Sequence, residues 1–230
     1  FLERNPKDQL SDVSFWKTAD DATKYATGIY LYLIEPENHT IMTDCYTDNA
    51  IPVHVGAEQG VLSAGTAVSS NPHFLQLWQA AYETIRRCQI FYEHIGEVSM
   101  NEKAKAQLTA EVQFLEAFAY HNLWKYMGGV PILDHPLQLN EPLPARSSAD
   151  ETYDYVVKLL DKAAPNLPEI RTAADHGKAS AGACYALKAR MAFYNHKYDV
   201  AEAAAEQVMQ TGKFGLYPNY GDLFQPVAET

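Results

Sequence analysis

Apolar side chains at Ala22, Tyr25, Ala26, Ile29, Tyr30 and Leu33 follow the three-and-four spacing that gathers them on one face of a helix. Thr18, followed three residues later by Asp21, is a variant of the capping box, so this helix is expected to begin near Ala19. The pattern then breaks. Between 34 and 73, Pro36, Pro52, Gly56, Gly60 and Gly65 interrupt a polar scatter, and neither helical nor strand period survives. Structureless stretches of that length inside a domain are uncommon and tend to be functional.

Helical periodicity returns at Phe74. Leu77, Trp78, Ala81, Ile85, Cys88, Phe91 and Tyr92 share one side, and on that stripe Trp78 reads as core. The next helix covers 101–127, with Leu108, Val112, Leu115, Ala119, Leu123 and Tyr126 as its stripe. Gly128-Gly129 stops it and Pro131 prevents its resumption. An extended link rich in Pro and Leu, PILDHPLQLNEPLPAR, leads to Ser148-Ala149-Asp150-Glu151. That is a capping box, opening a helix with Tyr153, Val156, Val157, Leu160 and Ala164 inward and Asn166-Leu167-Pro168 at its end. From Lys178 an alanine-rich segment splits at His196-Lys197 into two more helices.

Ala183, Ala186, Ala189, Ala201 and Ala205 stand where those last two helices are expected to touch. Tyr198-Asp199-Val200-Ala201 resembles the Y-x-x-A turn of a tetratricopeptide repeat, with Tyr185 in the usual Trp position and Lys188 where that repeat prefers Leu. The pairs 74–95 with 101–127 and 149–165 with 178–194 are expected to stack likewise. The fold class is all-α: helical hairpins packed in tetratricopeptide-repeat-like fashion with long irregular loops. One domain is expected over 1–230. It comprises an N-terminal arm and first helix at 1–33, a long loop region at 34–73 and a helical-pair scaffold at 74–230.

Composition narrows the partners. The 230 residues, 47% apolar and 20% charged, suit a globular chain with a real core. A net charge of -11, with no basic run beyond Arg86-Arg87, argues against nucleic acid and anionic membrane surfaces. Cys45, Cys88 and Cys184 form no CxxC pair; that excludes a zinc ribbon, and buried free thiols are the better reading, with a single bridge left open. No apolar run approaches the ~20 residues that cross a bilayer. The chain opens FLERNP without an initiator Met, as though an upstream segment had been removed.

Chemistry is sparse. Phosphate-loop, GxSxG and HExxH patterns do not occur. In EVQFLEAFAYHNLWKYMGGVPIL, Glu116 and His121 are five apart, about 140° around a helix, too far to share one ion. His121 reads as a packed or hydrogen-bonded histidine, and Glu111 and Glu116 as solvated or capping charges. Asp44 and Asp48 could face each other in the long loop as a glycosidase pair, but loop aspartates are mostly turn-formers. The expectation is a protein that is not an enzyme, with no metal and no cofactor.

The order of the pieces says more than any one of them. LSDVSFWKTADDATKYATGIY, then Trp78 to Ile85, then AEVQFLEAFAYHNLWKYMGGVPI, Ala145-Arg146-Ser147-Ser148, Leu167-Pro168, GKASAGACYALKARMAFY and YPNYGDLF run in the order of the RagB/SusD family of outer-membrane nutrient-binding lipoproteins. The chain resembles that family across nearly its whole length. Two positions depart: Glu116 stands where the family usually has Arg, and Gln89 where Asn is common. Family members are also considerably longer, so the chain resembles their N-terminal helical portion, with the C-terminal part absent.

The resemblance implies a surface-exposed lipoprotein of the Gram-negative outer membrane, held by an acylated N-terminal Cys lost from this chain along with its signal peptide. It implies capture of an oligosaccharide for a SusC-like TonB-dependent transporter. A peptide-capturing member of the family, or a tetratricopeptide-like adaptor without sugar binding, is the alternative. Sugars are held by an aromatic ring under the C–H face and by hydrogen bonds to hydroxyls. The candidate ligand residues are Tyr46, Asp48, Asn49, His54, Asn71, His73 and Phe74, with Gln59 among the same loop groups. The alternative role for this loop is packing against the transporter or the missing half.

Overall fold

The Asp21 amide donates to the Thr18 hydroxyl at 3.2 Å and the Thr18 amide donates to the Asp21 carboxylate at 2.8 Å, so both arms of the expected box are present. In this computed structural model, which describes residues 15–33, 43–50, 58–222 and 225, they open helix α1 (Ala19–Tyr30). Six helices follow among the described residues: α2 (Glu58–Ser63), α3 (Pro72–Ile95), α4 (Glu102–Met127), α5 (Ala149–Ala163), α6 (Ala181–Tyr194) and α7 (Tyr198–Gln210). Short 3-10 turns lie at Thr43–Tyr46, Ala164–Asn166 and Ala173–Asp175. The described residues contain no β-strand, only an isolated bridge between Thr18 and Ser99. The all-α reading holds.

Helix α3 starts earlier than the apolar pattern indicated. Asn71 caps it, its side-chain oxygen accepting the His73 amide at 2.9 Å, and Pro72 occupies the first turn, where a missing N–H costs nothing. Asn71 and His73 therefore belong to a helix start and not to the loop. Ser148 and Glu151 form the second reciprocal box, at 3.1 and 2.7 Å, before α5. At the far end of α4, Gly128 takes φ 70, a conformation suited to glycine. A Cβ on Gly129 would lie 1.9 Å from the Ser147 carbonyl oxygen, so the strand of link beside it admits no side chain there.

Helix α4 is the hub. From α3 onward consecutive helices pack side by side, α4 most extensively on α5 and on α3, and α6 on α7; the α5–α6 contact is much smaller than the pairing of 149–165 with 178–194 led one to expect. Between α6 and α7, Ala192, Ala201 and Ala204 are buried, whereas Ala186 and Ala205 face solvent. One apolar cluster joins Trp16, Ala22, Ala26 and Ile29 to Cys88, Phe91, Val112 and Leu115. A second joins the other end of α3 and α4 to α5, α6 and α7.

Because the middle of α4 is wrapped on several sides, Glu111 and Glu116 are buried, contrary to the expectation that they are solvated or capping. Glu111 pairs with Arg171 at 2.7 Å, both side chains 6% exposed. Arg171 also donates Nε–H to the Ala179 carbonyl at 2.6 Å, and the Ala179 amide donates to the Tyr30 hydroxyl at 2.9 Å. This node links α1, α4 and the loop before α6. Cys45, Cys88 and Cys184 are buried free thiols, and no helix among the described residues is long and apolar enough to cross a membrane.

Candidate functional site

The first two turns of α3 lie beside the last turn of α4, the His73 and Tyr126 rings meeting with centroids 6.0 Å apart. Apolar side chains of α3 there form one wall of an open cleft of about 540 Å³. Phe74, Leu75 and Trp78 come from α3, Tyr126 and Met127 from the last turn of α4, Ser69 and Ser70 from the approach to α3, and Arg146 from the link before α5. Leu75 is 54% and Trp78 36% exposed. Trp78 is thus a cleft wall and not the core residue its stripe suggested. Its indole tilts against Tyr82 with ring centroids 4.7 Å apart, and the Tyr82 hydroxyl donates to the Pro131 carbonyl at 2.7 Å. Burial raises the Tyr82 pKa far above the usual phenol range, so the hydroxyl stays protonated and the brace behind Trp78 stays made.

The loop residues nominated from sequence separate into three groups. Phe74 lines the cleft. Tyr46 and His73 pair beside it, Tyr46 Oη 3.4 Å from His73 Nδ1 with the rings edge to face at 5.4 Å, and His73 also meets the edges of Phe74 and Tyr126. His73 and Asn71 are themselves buried, so they shape the wall from behind. Asp48 and Asn49 are exposed on the turn after Thr43–Tyr46, outside the cleft lining, as are the exposed Asp44 and its turn. His54 lies outside the described residues, and of Gln59 only its helical backbone is described. Trp78, Leu75, Tyr126 and Arg146 were missed. Leu75 carried a signal: an apolar residue off the α3 stripe, between Phe74 and Trp78, widens the apolar face beyond what one partner helix covers.

A second cavity, about 270 Å³, opens between α3, α4 and α5. Glu116 sits at its base, fully buried, its Oε1 accepting from Gln89 Nε2 at 2.8 Å and Tyr155 Oη at 2.7 Å, its Oε2 from Tyr92 Oη at 2.9 Å. Burial raises its pKa to about 7, while the three hydrogen bonds and the Lys162 charge pull the other way. The two positions that depart from the family pattern, Gln89 and Glu116, are therefore partners in one hydrogen bond. His121, on another side of α4, is held neutral: burial, with Lys125 and Arg190 nearby, lowers its pKa to about 4.

The comparisons place this all-α scaffold in a family. Residues 1–193 match the SusD-like family described as "Starch-binding associating with outer membrane"; the chain belongs to that family. Among curated relatives, SusD-like protein P38 of Formosa agariphila is 27% identical over 97% of this chain and 45% of its own length. A solved SusD-like protein of Bacteroides fragilis superposes with a TM-score of 0.85 at 28% identity, covering 98% of this chain and 45% of that one. Surface glycan-binding protein A of Bacteroides thetaiotaomicron, solved with laminarihexaose, shares the fold at a TM-score of 0.78 and 22% identity, over 92% of this chain and 47% of its own. The chain thus spans about half the length of the relatives it matches.

Proposed function

We propose that this chain is the helical part of a cell-surface outer-membrane lipoprotein that binds an oligosaccharide and passes it, uncleaved, to a SusC-like TonB-dependent transporter. The observation that carries the reading is the braced, half-exposed Trp78 in a cleft shared with Phe74 and Tyr126. Pyranose C–H faces stack on such rings, and a platform already held in place loses little entropy on binding. Ser69, Ser70 and Arg146 supply hydrogen-bonding groups for hydroxyls at the rim. Tyr46, Asn71 and His73 support the wall, Asp48 and Asn49 would meet only a ligand long enough to leave the cleft, and His54, outside the described residues, stays a proposed ligand residue. The family membership and the laminarihexaose complex of a protein with this fold support the same reading.

The test is a glycan array on the protein at its full natural length, followed by chromatography of any bound oligosaccharide. Retention of a glycan in unchanged length, lost on Trp78→Ala, is the expected result. Products shortened by hydrolysis, or undiminished binding by a folded Trp78→Ala variant, would sink the proposal.

A further inference from the structure

Arg146 is the charged member of the cleft lining, in a chain of net charge -11. Its side chain is exposed, yet its orientation is fixed. Nε–H donates to the Gly129 carbonyl at 2.6 Å and Nη2–H to the Met127 carbonyl, so one edge of the guanidinium grips the carbonyl-rich end of α4. A guanidinium has five N–H donors on a rigid fork. Two are used here; both Nη1 protons and the second Nη2 proton remain, and that Nη2–H forms with one Nη1–H the paired donors of the terminal edge. Among the described residues, none of the ion pairs involves Arg146, and no carboxylate lines the cleft. A cation held this way, next to a stacking platform, is preorganised for an anion borne on a sugar ring.

We propose that Arg146 makes the cleft selective for acidic glycans, its open guanidinium edge taking the carboxylate of a uronic acid or the sulfate ester of a sulfated sugar whose ring lies against Trp78. The inference rests on the glycan-binding reading above and names its substrate class. Both anions present two coplanar or near-coplanar oxygens at the spacing of the fork, which an ammonium would meet only at a point. The overall negative charge of the chain repels such polymers at long range, so selectivity resides in this contact and not in general attraction.

Calorimetric titration of the full-length protein decides the matter with paired probes. These are tetragalacturonate and its methyl ester, a sulfated galactan tetrasaccharide and its desulfated form, and laminarihexaose as neutral reference. The expected result is that one acidic probe binds about tenfold or more tightly than its neutralised twin, and which pair shows the difference identifies carboxylate or sulfate as the source. Arg146→Gln, checked for an unchanged fold by circular dichroism, is expected to erase that difference, bringing the acidic probe down to the affinity of its neutralised twin. Equal affinity within both pairs overturns the proposal, as does a charge preference that survives in folded Arg146→Gln. Binding of laminarihexaose without charge preference removes this inference alone; failure of every probe removes the glycan-binding reading with it.

Discussion

Glu116 and His121 sit five residues apart on the same buried helix, and their protons act on stability in opposite directions. Glu116 has a folded pKa of about 7 against an ordinary 4.5, so the folded state holds a proton that the unfolded chain releases. Its contribution to stability grows as pH falls from above 7 toward 4.5, and keeping it ionised above that window costs on the order of 3 kcal/mol. His121, at about 4 against 6.5, stays neutral in the fold while the unfolded chain takes up a proton, so stability is lost as pH falls through that interval. Between pH 4.5 and 6.5 the two slopes cancel. Urea unfolding of Glu116→Gln is expected to show a protein more stable than the parent at pH 8 that weakens steadily on acidification to pH 5. A His121→Asn variant should instead gain stability over the same acidification; two parallel profiles would refute the opposition. The spacing that excluded a shared metal was readable in the sequence. The burial was not, because the partners Tyr92, Tyr155 and Arg171 are 24, 39 and 60 residues distant from the carboxylates they meet.

At the scale of the helices, local chemistry set the boundaries. Both capping boxes and the Gly128 stop are short-range devices, and they place the ends of α1, α4 and α5 where the sequence put them. Ser148→Ala removes one such bond and is expected to lower stability by about 1 kcal/mol, or about 3 °C in Tm, with glycan binding intact. Gly129→Ala is a different case: its methyl carbon meets backbone, not a side chain that can swing away. A soluble variant with parental Tm would show that the link beside α4 can retreat. What local signals could not give was which helix lies against which. The stripe on α3 identifies an apolar face without saying which of its residues a neighbour covers, and Trp78 is left 36% exposed.

For the molecule as a whole, the cleft is assembled from the start of α3, the end of α4 and the link that returns from Gly128 to Ser148 and brings Arg146 to its rim. Of the residues nominated from composition, Phe74 on α3 lines the cleft, with Tyr46 and His73 beside it. Trp78, the ring that walls the cleft, was hidden in a stripe that read as core. Trp78→Ala is expected to weaken glycan binding about tenfold or more with little loss of stability, since the indole is already 36% exposed. His73→Ala should do the reverse, lowering Tm first, because its ring is 2% exposed. A variant pair in which His73→Ala loses binding at unchanged Tm would move the ligand to the loop side of the wall.

The bond from the Ala179 amide to the Tyr30 hydroxyl closes a span of 149 residues, and it has a consequence in time. A chain emerging from its N-terminus can wind α1 at once, because the cap is local, but this latch has no partner until residue 179 is made. Packing against Cys88, Phe91, Val112 and Leu115 holds α1 without it, so the latch is the later of two restraints. A contact of such sequence separation is expected to form after the transition state, and so to govern how slowly the protein opens more than how fast it folds. Tyr30→Phe should leave the refolding limb of the chevron in place and raise the unfolding limb.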